Sequence, residues 1–404
     1  MSNSLLTIDM ITRQALVILK NKLVVTGNVN KQYDDQYAKS GAKIGDTLRI
    51  RLPNRNLVRR GASIQVQPVQ QQYVPLTVSS QIGADFAFSS AEQAMKLDDF
   101  SRLVLEPAVS QIASQIDYEV ASGVAQYIGQ SVGTPGTTPS TSAVLLAGIQ
   151  KLDEAAAPDA MRYCAVNPAA SAALVEGQKG LFNPGSTISS QYKKGRMGSN
   201  VLGWDEISMS QSISSFTCGS RASTGCTVTT TVSTQGATTI AITTTGATDT
   251  IKKGDVFTIA NVYAVNPQTR VTTGSLYQFV AASDATASGS AVTVTVQKAM
   301  YSGTSQSLAI IDTLPQSGAA VTFMGAASTA YPQNLMFQRD AIAFVTADLE
   351  LPKSAEMAAR ENYDGISMRI AKAWDPVNDN FITRLDVLYG WAVIRPELAV
   401  RLWG

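Results

Sequence analysis

Apolar residues recur every three or four positions from Leu105 to Gln130, at Leu105, Val109, Ile112, Ile116, Val120, Val124 and Ile128. That spacing puts them on one stripe and predicts a long amphipathic helix. Pro107 falls in its first turn, where the missing N–H would be unpaired in any case. The opposite face carries Gln111, Ser114, Gln115, Asp117, Ser122 and Gln126 and is expected to stay wet or to meet polar neighbours. A second helix is predicted over Thr7–Leu23, with Ile8, Ile11, Ala15, Leu19 and Leu23 on one face and Thr7 as its cap. The polar stretch Asn28–Ala42 that follows has no period of its own and reads as an extended arm.

Period-two alternation replaces the helical pattern at Gly45–Pro53, where Leu48, Ile50 and Leu52 alternate with Arg49 and Arg51. Ile64, Val66, Val74, Leu76 and Val78 continue the alternation, so a long β-ribbon is expected. Between Asp46 and Asp85 the chain has no acid but five arginines, Arg49, Arg51, Arg55, Arg59 and Arg60. Three readings fit them: a solvated face, a surface that pairs with carboxylates of a neighbouring subunit, and nucleic-acid binding. No aromatic is interleaved among them, which weakens the last.

Leu97–Val104 suggests a short helix capped by Asp98, and Ser131–Ser142 a soft linker. An α/β unit comes next. It has a helix over Ala143–Ala156 with Leu146, Ile149 and Leu152 inside, a strand RYCAV, and a helix capped by Asn167 and opened by Pro168. Gly177–Gly203 is glycine-rich and basic, with Lys193, Lys194 and Arg196, but lacks the spacing of a phosphate-binding loop. Twelve threonines then crowd Thr227–Thr250 among alternating valine and isoleucine, a β-branched density that favours strands. Short strands are expected at Val256–Val262, Leu276–Ala281, Ala291–Val296 and Val321–Met324. Together they suggest a sandwich or barrel inserted at about Thr217–Ala330, because mixed patterns resume afterwards at Ala341–Val345, Gly365–Ala373 and Arg384–Val393.

Composition narrows the chemistry. The chain has 404 residues, 45% of them hydrophobic, which is enough for two or three domains with real cores. Its 32 basic and 31 acidic residues nearly cancel, against bulk-charge binding of nucleic acid or membrane. Histidine is absent, which removes serine–histidine and cysteine–histidine catalysis and the commonest metal ligand. The adjacent acids Asp98–Asp99 and Asp153–Glu154 cannot share a helix face, so neither forms a local dyad. Cys164, Cys218 and Cys226 have no metal or redox spacing and are expected to be free thiols. The N-terminus lacks the features of a signal peptide and no apolar run is long enough to span a membrane, so a soluble protein made in a cytoplasm is expected.

The order of these parts resembles a tailed-bacteriophage major capsid protein of the Hong Kong 97-type shell fold, and more narrowly the coat proteins of Salmonella-type short-tailed phages. The resemblance is carried by the helix and arm, the basic ribbon, the long helix, Asn167–Pro168, and GWDEI at Gly203–Ile207. It also rests on KKGDVFTIANVYAVNP at Lys252–Pro267 and the closing LDVLYGWAVIRPELAV. It implies an α+β fold with five parts: an N-terminal helix and arm over 1–42, an extended loop over 43–84, and a peripheral domain with a spine helix over 85–135 and 360–385. The remaining two are an apical domain over 136–216 and part of 331–404, and a β-barrel insertion over 217–330. It further implies a non-enzymatic shell protein without cofactor, whose partners are its own hexamers and pentamers, scaffolding and portal proteins, and packaged double-stranded DNA bound without sequence specificity. The location implied is the virion capsid, assembled in the bacterial host's cytoplasm. Arg49, Arg51, Arg55, Arg59 and Arg60 become intersubunit contacts. The insertion's turn at Ser233–Ala237 is short and uncharged where the family can carry a long charged loop, so salt bridges between capsomers are not expected there. No lysine lies between Lys43 and Lys96 to support a ribbon-borne cross-link. An encapsulin-like compartment shell is the alternative function; an enzyme or a β-rich fibre explains less of the chain.

Overall fold

The structure, a computed structural model, describes residues 8–32, 47–59, 61–64, 66, 71–89, 105–178, 194–303, 306–352, 357–375 and 380–404. The cap Thr7, most of the arm, the helix expected at Leu97–Val104 and the centre of the Gly177–Gly203 loop lie outside the described residues. The chain divides into two compact units, one of residues 1–50, 73–120 and 342–394 and one of residues 51–72, 121–341 and 395–404.

The first unit is built around β21 (Asn380–Val393), whose fourteen residues are exposed or half-buried up to Arg384 and buried from Leu385 to Gly390. One edge of β21 pairs with β3 (Ser80–Ser89) over its whole length. The other edge takes β20 (Ile366–Asp375) and then β18 (Ile342–Ala347), with β19 (Met357–Tyr363) outside β20. All six residues of β18 are buried, as expected of a strand covered on both faces. A separate ribbon, β1 (Thr47–Arg51) with β2 (Tyr73–Thr77), comes close to β21 at Gly390. A Cβ there would sit 2.2 Å from the Thr77 carbonyl oxygen, so only glycine admits the contact. The helix Ile8–Lys22 buries Ala15, Leu16 and Leu19 and packs on β19 and β20. Behind it, Asn30 bridges to Ala343 and adds a bond to the edge of β18.

The second unit contains a mixed sheet in the order β4 (Ser131–Val132), β22 (Ala399–Trp403), β17 (Ala330–Gln338), β5 (Arg162–Val166), β7 (Trp204–Met209) and β6 (Gly198–Val201), with β8 (Ser215–Thr217) also on β17 and a separate short pair, β11 (Thr250–Ile251) with β14 (Ala285–Thr286). The helix Ser142–Glu154 covers β22, with Gly148 against the Met336 sulfur and the Trp204 ring. Asn167 caps the helix Pro168–Gly177 as its sequence predicts, the side-chain oxygen accepting from the Ala170 amide at 2.8 Å.

The threonine-rich region of the same unit is a small barrel. Its strands run β13 (Thr272–Val280), β12 (Val256–Val265), β16 (Ala320–Phe323), β9 (Cys226–Val228), β10 (Ala237–Thr243) and β15 (Ala291–Met300). The bridge between Ala281 and Val296 joins the ends of this order and closes it, which removes the open edges. Val228, Ile240, Ile242, Ile259, Val294 and Val321 point inward around Phe257, whose ring lies 5.5 Å from Phe279 and 5.2 Å from Phe323. The threonines take the alternate, outer positions, as in β15 where Val292 and Val294 are buried and Thr293 is exposed.

Several expectations need correction. The long helix ends at Ala125, five residues early, because the Gln126 and Tyr127 amides bond three residues back and the Ile128 carbonyl instead receives the Arg401 guanidinium at 2.7 Å. Of the two alternatives for the polar face, Asp117 takes the second: it is buried, against the polar groups of Val24–Thr26. In the helix Ser142–Glu154 Leu152 is buried as expected, but the other inward leucine is Leu145; Leu146 is exposed. Ile64 and Val66 form no strand and are 82% and 90% exposed, so among the described residues the ribbon's paired part is short. The linker begins with two buried residues, Ser131 and Val132, that extend the sheet beside β22. The expected strand at Ala341–Val345 is β18, two residues longer at its end.

Candidate assembly surface

Alternation along β1 explains where its arginines point: Ile50 is buried, and Arg49 and Arg51 face solvent. The Arg49 guanidinium stacks 5.1 Å from the centroid of the Tyr73 ring. Beyond the strands, the Leu52 amide donates to the Gln72 carbonyl at 2.9 Å, and the chain between them carries the remaining arginines. Arg59 donates to the carbonyls of Gly61 and Ser63, which curls the loop onto itself. Val58, beside it, is 92% exposed. Arg60 lies outside the described residues.

Arg55 is different, because it has an acid of its own chain. Its guanidinium lies 3.1 Å from Glu397, which also holds Lys298 at 2.7 Å and Arg395 at 3.4 Å. Burial alone would push the Glu397 carboxyl up, but Lys298 and Arg55 outweigh it and hold the group down at about 2. Arg55, Lys298 and Glu397 line a cavity of about 100 Å³ whose other walls include Gln130, Tyr277 and Ile310. Arg270 reaches the same loop, donating to the carbonyls of Asn56 at 3.3 Å and Gln306 at 2.6 Å. The four described arginines therefore share no acceptor. Glu397 has one signal in the sequence: it is the single acid after Asp386, set among Arg395 and Arg401.

Three further acids are committed to structure. Asp117 accepts the amides of Val24, Val25 and Thr26 at 2.6, 3.3 and 2.9 Å, and the Thr26 hydroxyl at 2.6 Å. Its neighbours Ala113, Ile116, Val120 and Ala121 are all buried, a flanking pattern that could have marked it as an inward residue. Asp386 lies across from Arg369 in β20 and from Gly83 in β3. Burial opposes its ionisation, but hydrogen bonds from Arg369, Arg384 and Gln81 bring it below the usual carboxylate value. In the barrel, Asp255 and Arg221 form a fully buried pair at 2.9 Å, with Asp255 also receiving the amides of Gly219 and Lys252.

No paired acids are poised for proton transfer at Asp153 and Glu154. Asp153 is bound by Arg162 at 2.7 Å, and Glu154 pairs with Lys151 at 3.6 Å. Asp98 and Asp99 lie outside the described residues. Cys164, Cys218 and Cys226 are free and buried, and burial pushes the Cys164 thiol up to about 12. Among the described residues no three metal-ligating side chains are grouped, and no helix is long and apolar enough to cross a membrane. The turn at Ser233–Ala237 is tied down locally: the Gln235 side chain exchanges hydrogen bonds with Ser302 at 2.9 and 3.0 Å.

Known proteins provide the remaining finding. The family described as "P22 coat protein - gene protein 5" matches residues 3–404. No curated protein matches. Among solved structures, the chain is similar to one from Mycobacterium phage Che8, at 12% identity and a TM-score of 0.45 over 94% of this chain and 90% of that one. The CUS-3 coat protein I-domain is 25% identical over 24% of this chain and 94% of its own, with a TM-score of 0.20. A virus-like particle from Pyrococcus furiosus is 10% identical over 97% of both chains, with a TM-score of 0.38. Family membership rests on the match over residues 3–404.

Proposed function

The chain belongs to the P22 coat protein family, and we propose that its copies close into an icosahedral shell around double-stranded phage DNA. It is a bacteriophage major capsid protein of the Hong Kong 97-type class, an α+β chain with an all-β insertion, and it builds the shell by self-assembly. The single observation that carries this is the family match over nearly the whole chain. The nearly balanced charge supports enclosure of DNA without sequence-specific binding, since few phosphates would be neutralised by any one copy. Scaffolding and portal proteins would be further partners, and assembly would take place in the host cytoplasm. The chain would carry no reaction of its own.

In this reading the parts have mechanical roles. The arm over 1–42 would tie neighbouring capsomers, and the loop over 43–84 would overlap the adjacent subunit through Arg49, Arg51, Arg55, Arg59 and Arg60. Segments 85–135 and 360–385 would form the peripheral wall. Residues 136–216 with part of 331–404 would form the apical domain near the local symmetry axes, and 217–330 the outward insertion. Each contact contributes little, but closed symmetry multiplies it over every copy.

Expression alone and with the cognate scaffolding protein, followed by electron microscopy of the products, tests the reading. Closed shells are expected. Monodisperse monomer under every condition would overturn it, and particles that enclose an enzyme and no DNA would place the chain with compartment shells instead.

A further inference from the structure

Arg55 is an arginine of the proposed intersubunit loop, yet it is bound to an acid of its own chain. The side chains of Arg55 and Glu397 are 23% and 16% exposed, whereas Val58, three residues further on, is 92% exposed. Ile64 and Val66, also in this loop, are 82% and 90% exposed. The loop is thus held at Arg55 and bare at Val58, Ile64 and Val66. A second tether, from the Arg270 guanidinium to the Asn56 carbonyl at 3.3 Å, acts on the next residue.

We propose that the Arg55–Glu397 contact is an in-chain latch, which holds the arginine-rich loop on the unassembled subunit until a second copy of this chain offers the loop a better seat. The inference rests on the shell reading above. Glu397 suits the role because it does not depend on Arg55 to remain ionised or ordered: Lys298 at 2.7 Å and Arg395 at 3.4 Å stay with it when the loop leaves. The latched state is also imperfectly satisfied. The buried Oε1 of Gln130, in the wall of the cavity that Arg55 and Glu397 help to line, accepts no hydrogen bond among the described residues. Departure of the loop would admit water to that oxygen, which offsets part of the lost ion pair. Exposed Val58, Ile64 and Val66 gain only by burial against another surface, so an incoming copy biases the exchange toward release.

The groups that face Glu397 are Lys298, Arg55, Arg395 and the buried Tyr277. Two variants separate release of the loop from general loosening. Glu397→Gln frees Arg55 while leaving it available to a neighbour; Lys298→Gln weakens the same cluster but leaves Arg55 held. On the unassembled full chain, trypsin is expected to cut after Arg55 at least fivefold faster in Glu397→Gln than in wild type, with Lys298→Gln within twofold of wild type. In light-scattering assembly runs the lag of Glu397→Gln should shorten by a similar factor. An unchanged cleavage rate in Glu397→Gln, an equal acceleration in Lys298→Gln, or a lag that fails to shorten would each overturn the latch. If wild type forms no shell at all, the shell reading fails, and the proteolysis arm still decides whether Glu397 restrains the loop.

Discussion

The Asp117 carboxylate receives the Thr26 hydroxyl at 2.6 Å and the Thr26 amide at 2.9 Å, so one acid of the long helix caps the backbone that leaves the N-terminal helix. Val24 and Val25 donate their amides to the same group. A carboxylate can accept at about four lone-pair sites, and here all are used. Asp117→Ala would leave three buried or half-buried amides unpaired, and is expected to cost about 3–5 kcal/mol. Asp117→Asn keeps the shape but only one oxygen, and should cost about half as much. Urea midpoints of the two variants check the order; an Ala variant as stable as wild type would show that water replaces the acid.

Arg221 and Asp255 are both wholly buried in the barrel, and each has further partners, the Gly325 and Met324 carbonyls for Arg221 and two amides for Asp255. Removing one partner leaves an uncompensated buried charge. Arg221→Met is therefore expected to destabilise the barrel by about 3–5 kcal/mol. Hydrogen exchange at the β12 and β16 amides should rise accordingly, with the five-stranded sheet of the first unit unaffected.

Glu397 makes stability depend on acid. Its folded value of about 2 lies below the ordinary 4.5, so its contribution is fully present above pH 4.5 and is lost as the pH falls through 2. The difference corresponds to about 3 kcal/mol at neutral pH. Hydrogen-exchange protection of the β22 amides should fall between pH 5 and pH 2, and Glu397→Gln should flatten that dependence while lowering protection at pH 7.

Burial decides the thiols. With Cys164 held near 12 and all three cysteines inside, almost no thiolate is present at pH 8. Native subunits should resist iodoacetamide for hours, and guanidinium should expose three reactive groups. Rapid labelling of the native chain at Cys164 would contradict the packing of β5 against β17.

Charge reversal of the loop must respect the in-chain contacts. Arg55→Glu would set a second carboxylate against Glu397 and disturb the subunit itself. Arg49, Arg51 and Arg59 have no acidic partner within hydrogen-bonding reach among the described residues. Converting Arg51 and Arg59 to Glu is expected to leave the circular dichroism unchanged and to reduce shell yield at least tenfold. Normal shells would exclude these arginines from the interface.

Local patterns in the sequence determined a good deal. The stripe from Val109 to Val124 is buried as its spacing required, because helical geometry sets which residues share a face. Asn167 and Pro168 start their helix because the cap uses an amide three residues away. The barrel's strands follow from β-branched alternation, and its closure through Ala281 and Val296 was compatible with that alternation without being dictated by it.

What tertiary structure decided are the pairings of polar groups distant in sequence. Asp117 is 91 residues from Thr26, and Arg55 is 342 from Glu397; no local period encodes either meeting. An acid on a helix face is wet by default, and becomes a cap only when a chain end with unpaired amides is folded against it. An arginine in a basic loop looks free for a neighbour until the C-terminal segment brings a carboxylate to it. Propensity and periodicity act over a few residues, so they set the elements; burial and charge compensation act through space, so they set which side chains hold the elements and which remain for the shell.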